Sequence, residues 1–185
     1  MGKPKLLLPW GKKTILGHLI QQWTDLGAAQ IGLVVEQGSA VQAQGERLKA
    51  EIIINPHPEL GMWSSVLCAA RWQGWRKNLT HFVITLGDQP HVPINTLQAT
   101  INFAAQNPEC ICQPARKGRG RHPVVLPSAL FADLTAAKET NLKEFLHARE
   151  SQRKMFESDD SALDLDIDTP ADYDKALHQF NHSTL

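Results

Sequence analysis

The stretch His81-Phe82-Val83-Ile84-Thr85-Leu86-Gly87-Asp88-Gln89-Pro90 decides how the chain is read. Its first five residues form a run of β-branched and aromatic residues closed by turn residues, which predicts a buried strand. Asp88 then falls at the C-terminal tip of that strand. In an open α/β sheet this tip borders the ligand crevice, and Pro90 stiffens the backbone just beyond it. An aspartate there is either a turn or helix-capping residue or a metal ligand. A second acidic run far downstream, Leu165-Asp166-Ile167-Asp168-Thr169-Pro170, favours the ligand.

Outward from this strand, helices and strands alternate. Upstream, Met1 to Pro9 is basic and interrupted by prolines at 4 and 9, so it is expected to be irregular. Thr14 caps a predicted amphipathic helix through Leu26, with Ile15, Leu16, Leu19, Ile20 and Trp23 on one stripe and Gly27 as its stop. Ile31 to Val35 reads as a fully apolar strand, Ser39 starts a helix to Leu48, and Ile52 to Ile54 is a buried strand ending at Asn55-Pro56. Gly61-Met62-Trp63-Ser64-Ser65 opens the next helix, to Trp72. Free backbone N–H groups and two hydroxyls there suit an anion, and they equally suit ordinary N-capping. This alternation predicts a three-layer α/β/α fold with a mostly parallel sheet.

Downstream, a helix is predicted over Ile94 to Gln106. Then the texture changes. Glu109 to Pro114 and His122 to Leu126 flank the basic link Arg116-Lys117-Gly118-Arg119-Gly120-Arg121, which reads as a hairpin or flap within 109–126. Its cations suit phosphate contacts, or simply a solvated loop. Helices follow at Pro127 to Leu134 and Leu142 to Arg149, a strand at Lys154 to Glu157, and a last helix from Ala171 to Phe180.

At 185 residues the chain reads as a single domain, 1–185, with a core large enough to fold without staples. Its 19 Lys and Arg equal its 19 Asp and Glu, so bulk charge suggests neither nucleic acid nor membrane as a partner. Cys68, Cys110 and Cys112 lack paired metal spacing and read as thiols of a reducing compartment. No apolar run approaches the roughly 20 residues that span a bilayer. Nor does Met1 to Trp10 resemble a signal peptide, so the expected location is cytoplasmic.

Two carboxylates converging from separate strand ends can hold one Mg²⁺, with substrate phosphates and water filling the octahedron. Asp88 with Asp166 or Asp168 has that potential, because residues two apart on an extended segment share a face. An EF-hand loop would need a glycine and a glutamate that the acidic run lacks. A Rossmann site would need a third glycine and a helix after Gly118-Arg119-Gly120. The eight histidines are scattered, and only His122, beside Pro123, stands out.

Taken in order, these pieces resemble the nucleotidyltransferase family that includes CTP:molybdopterin cytidylyltransferase and its guanylyl-transferring relatives. The matching stretches are Met1 to Leu8, Asn55-Pro56, Gly61 to Val66, Gly87-Asp88-Gln89-Pro90, His122 to Leu126, and Asp166 to Pro170 with Asp172. The resemblance implies a nucleotide-diphospho-sugar-transferase-like fold and Mg²⁺-dependent transfer of CMP, or another nucleoside monophosphate, from a nucleoside triphosphate to the phosphate of molybdopterin. It implies that Lys5 neutralises phosphates, that Asn55, Gly61 and Ser65 shape the nucleotide pocket, and that Asp88 and Asp168 hold the metal. Arg119 and His122, on the Arg116 to His122 flap, would face the second substrate. A molybdoenzyme or its maturation factor is the implied protein partner.

The chain departs from the family pattern in one large respect. Relatives begin with a strand and a glycine-rich loop of the type Leu-Ala-Ala-Gly-x-x-x-Arg, running directly into Met-Gly-x-x-Lys, whereas this sequence starts at that methionine. Without the strand, two hydrogen-bonding edges are expected to open in the sheet. An upstream segment, a strand from another subunit or a rearrangement, and a truncation that impairs nucleotide binding are the three expectations. Arg121 also replaces the glycine usual before His-Pro. A non-catalytic relative that binds or delivers the cofactor is the alternative to catalysis, and an oxidoreductase on the same scaffold is a third reading.

Overall fold

A computed structural model of the protein describes residues 4–183, with side chains through residue 180. Met1, Gly2 and Lys3 of the resemblance fall outside the described residues. The strands are β1 (Pro9–Trp10), β2 (Lys13–Thr14), β3 (Gly32–Val35), β4 (Glu51–Ile54), β5 (His81–Ile84), β6 (Ile111–Arg116), β7 (Arg119–Gly120), β8 (Val124–Pro127) and β9 (Arg153–Glu157). The helices are α1 (Ile15–Asp25), α2 (Ala40–Arg47), α3 (Met62–Arg71), α4 (Ile94–Gln106), α5 (Ser128–Asp133), α6 (Leu142–His147) and α7 (Pro170–Ser183).

Local chemistry sets the helix ends. Thr14 Oγ1 accepts from Gly17 N–H at 3.1 Å, Ser39 Oγ from Gln42 N–H at 3.1 Å, and Asn141 Oδ1 from Glu144 N–H at 2.9 Å. Each cap satisfies a donor that the helix itself leaves open and is worth about 1 kcal/mol. Gly27, at φ +83°, turns the chain after α1. The segment expected to be irregular holds a short 3-10 turn, Lys5–Leu7, and the two-residue ribbon β1–β2, reversed at Gly11 with φ +58°.

The larger sheet is ordered β5-β8-β6-β9, with β7 a short ribbon on β6. β8 runs antiparallel to both β5 and β6, while β9 is parallel to β6. β5, β6 and β9 therefore point one way and β8 alone of these four is reversed, as a mostly parallel sheet requires. β3 and β4 form a separate parallel pair, Leu33 opposite Ile52. The basic link is the expected hairpin: Lys117 and Gly118 both have positive φ, 52° and 70°, which matches the twist of the strands it joins.

Alternation along the strands divides the core into layers. On one face, Ile111, Val124 and Leu126 pack with Val66 of α3, Phe131 of α5 and Phe145 of α6. On the other, Cys112 and Val125 pack with Ala104 of α4. Gly45 of α2 lies against Leu33 and Ile52 so closely that a Cβ would meet the Leu33 side chain at 2.5 Å. Trp10, Ile15, Leu19, Ile167 and Ala176 join β1, α1 and α7 into a further cluster. This is the expected three-layer α/β/α arrangement.

Phe145 is fully buried, tilted against Trp63 at 6.2 Å, and covered by the Arg149 guanidinium 3.7 Å above its ring. Phe145→Ala should cost about 3–5 kcal/mol through lost transfer energy and the cavity left behind. Urea unfolding checks this, and a loss under about 1 kcal/mol would mean that the layer of α3, α5 and α6 is loosely packed.

Candidate active site

β5 ends at Ile84, and the turn that follows delivers Asp88. The Asp88 carbonyl accepts from Ile167 N–H at 3.1 Å, which ties the two acidic segments together. Ile167 is fully buried against Trp10 and Ile15, so its neighbours Asp166 and Asp168 are turned away from that core. The two acids then separate in role. Asp166 Oδ1 accepts from Gln89 Nε2 at 2.8 Å, whereas Asp168 Oδ1 accepts from Lys5 Nζ at 2.9 Å. The same ammonium lies 3.8 Å from Asp88 Oδ2. Asp172, by contrast, caps α7: its Oδ2 accepts from the N–H and hydroxyl of Thr169 at 2.8 and 2.7 Å.

The electrostatics of this corner follow from burial and crowding. Burial, then the charge of Asp166, push the Asp88 carboxyl above the ordinary aspartate range, and the Lys5 charge only partly opposes them. Burial also works against the charged form of Lys5. The bond to Asp168 and the charges of Asp88 and Asp168 outweigh it and hold the ammonium above its usual value. Asp88 Oδ1 is buried without a hydrogen-bond partner among the described residues. Two carboxylates, one with an unused buried oxygen, gathered on a single cation are a donor set suited to a hard divalent ion. Among the described residues no cluster of three or more His, Cys, Asp or Glu side chains forms a fuller cage.

Asn55, Gly61 and Ser65 form a second group beyond the end of β4. Asn55 is 2% exposed, and its amide Nδ2 donates to Ser64 Oγ at 2.8 Å and Ser65 Oγ at 3.1 Å. Its Oδ1 accepts from His57 N–H at 2.9 Å. Asn55 therefore shapes the loop from inside. Gly61, at φ +77° and with open space where a Cβ would project, begins α3 without a side-chain cap, leaving backbone donors uncovered. Ser65 and Gly87 both line one apolar cavity of 330 Å³.

The flap divides. Arg116 Nε and Arg121 Nη2 bond opposite oxygens of Asp164 at 2.7 and 2.6 Å, so these two cations are structural clamps and not mobile phosphate contacts. This pair also accounts for the arginine at 121. Arg119 is exposed on the hairpin. His122 lies behind the site, its Nδ1 3.3 Å from the Ile84 carbonyl. Burial dominates and pushes its imidazole below the usual range, against that carbonyl and the charges of Asp166 and Asp88. It is neutral near pH 7.

The structure thus gathers Lys5, Asp88 and Asp168, sets His122 within reach of the Asp88 charge, groups Asn55 with Ser65 at the start of α3, which Gly61 opens, and leaves Arg119 exposed on the hairpin. Gln89 and Asp164 had no assigned role in the sequence. Gln89 lay within the decisive stretch, but its partner is remote, and Asp164 offered no local signal at all. The three cysteines are free, and burial pushes the Cys112 thiol up to about 11, as unreactive core thiols require. Among the described residues no helix is long and apolar enough to cross a membrane.

The model of the MobA-like NTP transferase domain matches residues 1–155. Rv0371c from Mycobacterium tuberculosis H37Rv is similar in structure, with a TM-score of 0.74 at 23% identity over 96% of this chain and 90% of that one. A second structure of Rv0371c is a complex with manganese. Molybdopterin-guanine dinucleotide biosynthesis protein A from Archaeoglobus fulgidus gives 0.69 at 15% identity over 100% of this chain and 93% of that one. A CMP:2-keto-3-deoxy-manno-octonic acid synthetase complexed with CTP gives 0.76 at 11%, over 97% and 92%. At such identities the likeness establishes the fold, and no curated protein matches the chain. The domain match spans most of the chain and includes Lys5, Asp88 and the Asn55–Ser65 loop, and by it the chain belongs to the MobA-like NTP transferase domain family, whose members are nucleotidyltransferases.

Proposed function

We propose that the chain, acting as one unit over 1–185, transfers CMP from CTP to the terminal phosphate of molybdopterin with Mg²⁺ as the metal. The observation that carries this reading is the meeting of Asp88 and Asp168 at one ammonium beside the end of β5. A phosphate oxygen of the acceptor attacks the α-phosphorus in line, the bond to the β-phosphate oxygen breaks, and pyrophosphate leaves. Asp88 and Asp168 would hold the metal, which would supply neutralisation of the charge that develops on the phosphates.

The chain's own residues supply position and charge. Lys5 reaches the same phosphates when its carboxylates are taken by the metal. Asn55 fixes Ser64 and Ser65 so that the uncapped start of α3 offers N–H donors to the triphosphate. His122, neutral and half enclosed, can donate to or accept from the acceptor phosphate, and Arg119 on the hairpin adds a cation at the outer side. CTP and molybdopterin are supported by the sequence resemblance, and the molybdopterin side also by the Archaeoglobus fulgidus relative. A molybdoenzyme or its maturation factor would receive the product, in the cytoplasm. The second reading, a non-catalytic cofactor binder, is favoured by one observation: an apolar cavity runs up to Gly87, beside the proposed metal site.

Pyrophosphate release from CTP, with molybdopterin and Mg²⁺, separates these readings. Asp88→Asn should lower it at least about 100-fold, the scale of losing a key electrostatic group. Turnover kept near the parent level would overturn the metal assignment. The same substitution should raise stability near neutral pH. An acid whose folded pKa is raised costs stability once ionised, and that cost is relieved as pH falls through the raised value. The gain of Asp88→Asn should therefore be largest at neutral pH and vanish in acid, as thermal unfolding at several pH values would read. Lys5→Met removes the charge that keeps Asp88 ionised, so the acid limb of the kcat profile should move to higher pH. An unmoved limb would separate Lys5 from Asp88.

A further inference from the structure

Between β9 and α7 the regular structure is one short 3-10 turn, Ser161–Asp164, and the chain then runs through the acids Asp166 and Asp168. Contacts from two sides set the course of this stretch. From the side of β5 and α4, Gln89 Nε2 donates to Asp166 Oδ1 at 2.8 Å, Thr96 Oγ1 donates to Asp160 Oδ2 at 2.6 Å, and His91 Nε2 lies 3.1 Å from the Ala162 carbonyl. From the hairpin side comes a joint at Asp164. Arg121 Nε and Nη2 donate to its Oδ1 at 2.8 and 2.6 Å, Arg116 Nε donates to its Oδ2 at 2.7 Å, and Arg116 Nη1 donates to the Asp159 carbonyl at 2.6 Å. Both Asp164 oxygens are thus engaged by planar guanidinium groups, which fix orientation as well as distance. The base of the joint is stiff. Buried Gln113 donates its Nε2 to the Arg121 carbonyl at 3.1 Å, and the Arg121 N–H donates to the Pro114 carbonyl at 2.7 Å.

We propose that Asp164 is a positioning residue for the metal site: clamped by Arg116 and Arg121, it anchors the stretch that carries Asp166 and Asp168 and so couples the acceptor-side hairpin to the metal carboxylates. This role rests on the proposed function in one respect, that Asp88 and Asp168 hold the cation. The connection is short. Leu163 is buried with Trp23 and Val92, and Ile167 with Trp10 and Ile15, so Asp164 stands between two fixed points of the same stretch. Ile167 N–H also bonds the Asp88 carbonyl, and a displacement of the stretch therefore reaches both carboxylates together. On the hairpin, Arg121 adjoins His122, which the proposed function turns towards the acceptor. A cation at Asp168 and an acceptor at the hairpin then bear on one joint.

Titration of the full chain with Mn²⁺ alone, read by water-proton relaxation, tests the coupling. Arg121→Gln decides, because charge and position oppose each other there. Removing a cation near the site would by charge alone tighten Mn²⁺ binding, whereas a loosened joint weakens it, by about 10-fold on the scale of losing the partners that orient a metal's ligands. Asp164→Asn should weaken binding by a similar factor, and the double substitution no further, since the two partners act as one unit. Arg121→Lys, which keeps the charge and loses the fork, should fall between the parent and Arg121→Gln. Glu139→Gln controls for general destabilisation: it breaks the 2.9 Å pair with Arg149 and should lower Tm without moving the Mn²⁺ affinity. Tighter or unchanged Mn²⁺ binding in Arg121→Gln would overturn the proposal, as would an equal loss in Glu139→Gln. Asp168→Asn separates the two levels. Affinity lost there but kept in Arg121→Gln removes the coupling and leaves the transfer reading standing, while affinity kept in Asp168→Asn removes both.

Discussion

A half-buried carboxylate, held above the ordinary aspartate range by its surroundings, is the constraint around which this site is arranged. Asp88 is held at the end of β5 by its own carbonyl's bond to Ile167, and burial together with Asp166 raises the cost of ionising it. The chain answers with Lys5 from its first turn and with Gln89, which holds Asp166 to one side. Such an arrangement stores unfavourable charge in the free protein. Under the proposed function a divalent cation would relieve it, replacing one ammonium by twice the charge and engaging the buried oxygen that has no partner among the described residues. Membership in a nucleotidyltransferase family and this electrostatic tension therefore tell the same story at two levels.

Much of the scaffold is legible in the sequence because its signals are local. The helix predicted over Ile94 to Gln106 is α4 without change, and Thr14, Ser39 and Gly27 set helix ends by side-chain and backbone chemistry within a few residues. The basic link folds into a hairpin because Lys117-Gly118 can take positive φ at both positions. The three-layer architecture follows from strands apolar on both faces.

What local patterning does not carry is the choice of distant partners. Spacing put Asp166 and Asp168 on one face, but Gln89 and Lys5, remote in sequence, decide which is left to a cation. Arg116 and Arg121 read equally as phosphate contacts or as a solvated loop, and the remote Asp164 pairs with both. The pairing of β9 with β6 and the ribbon of β1 with β2 are likewise invisible to periodicity. The partial covering of β3 and β5, though their side chains are mostly apolar, is likewise a property of the fold and not of the local pattern.

The central claim is that Asp88 and Asp168 meet at one divalent cation. Paramagnetic line broadening by Mn²⁺ in the presence of CTP tests it directly on the backbone amides. Broadening should appear first at Asp88, Gln89 and Asp168 and fade with distance from them. Broadening centred on another acidic or histidine-bearing region, such as that around His18, His91 and Asp160, would contradict it.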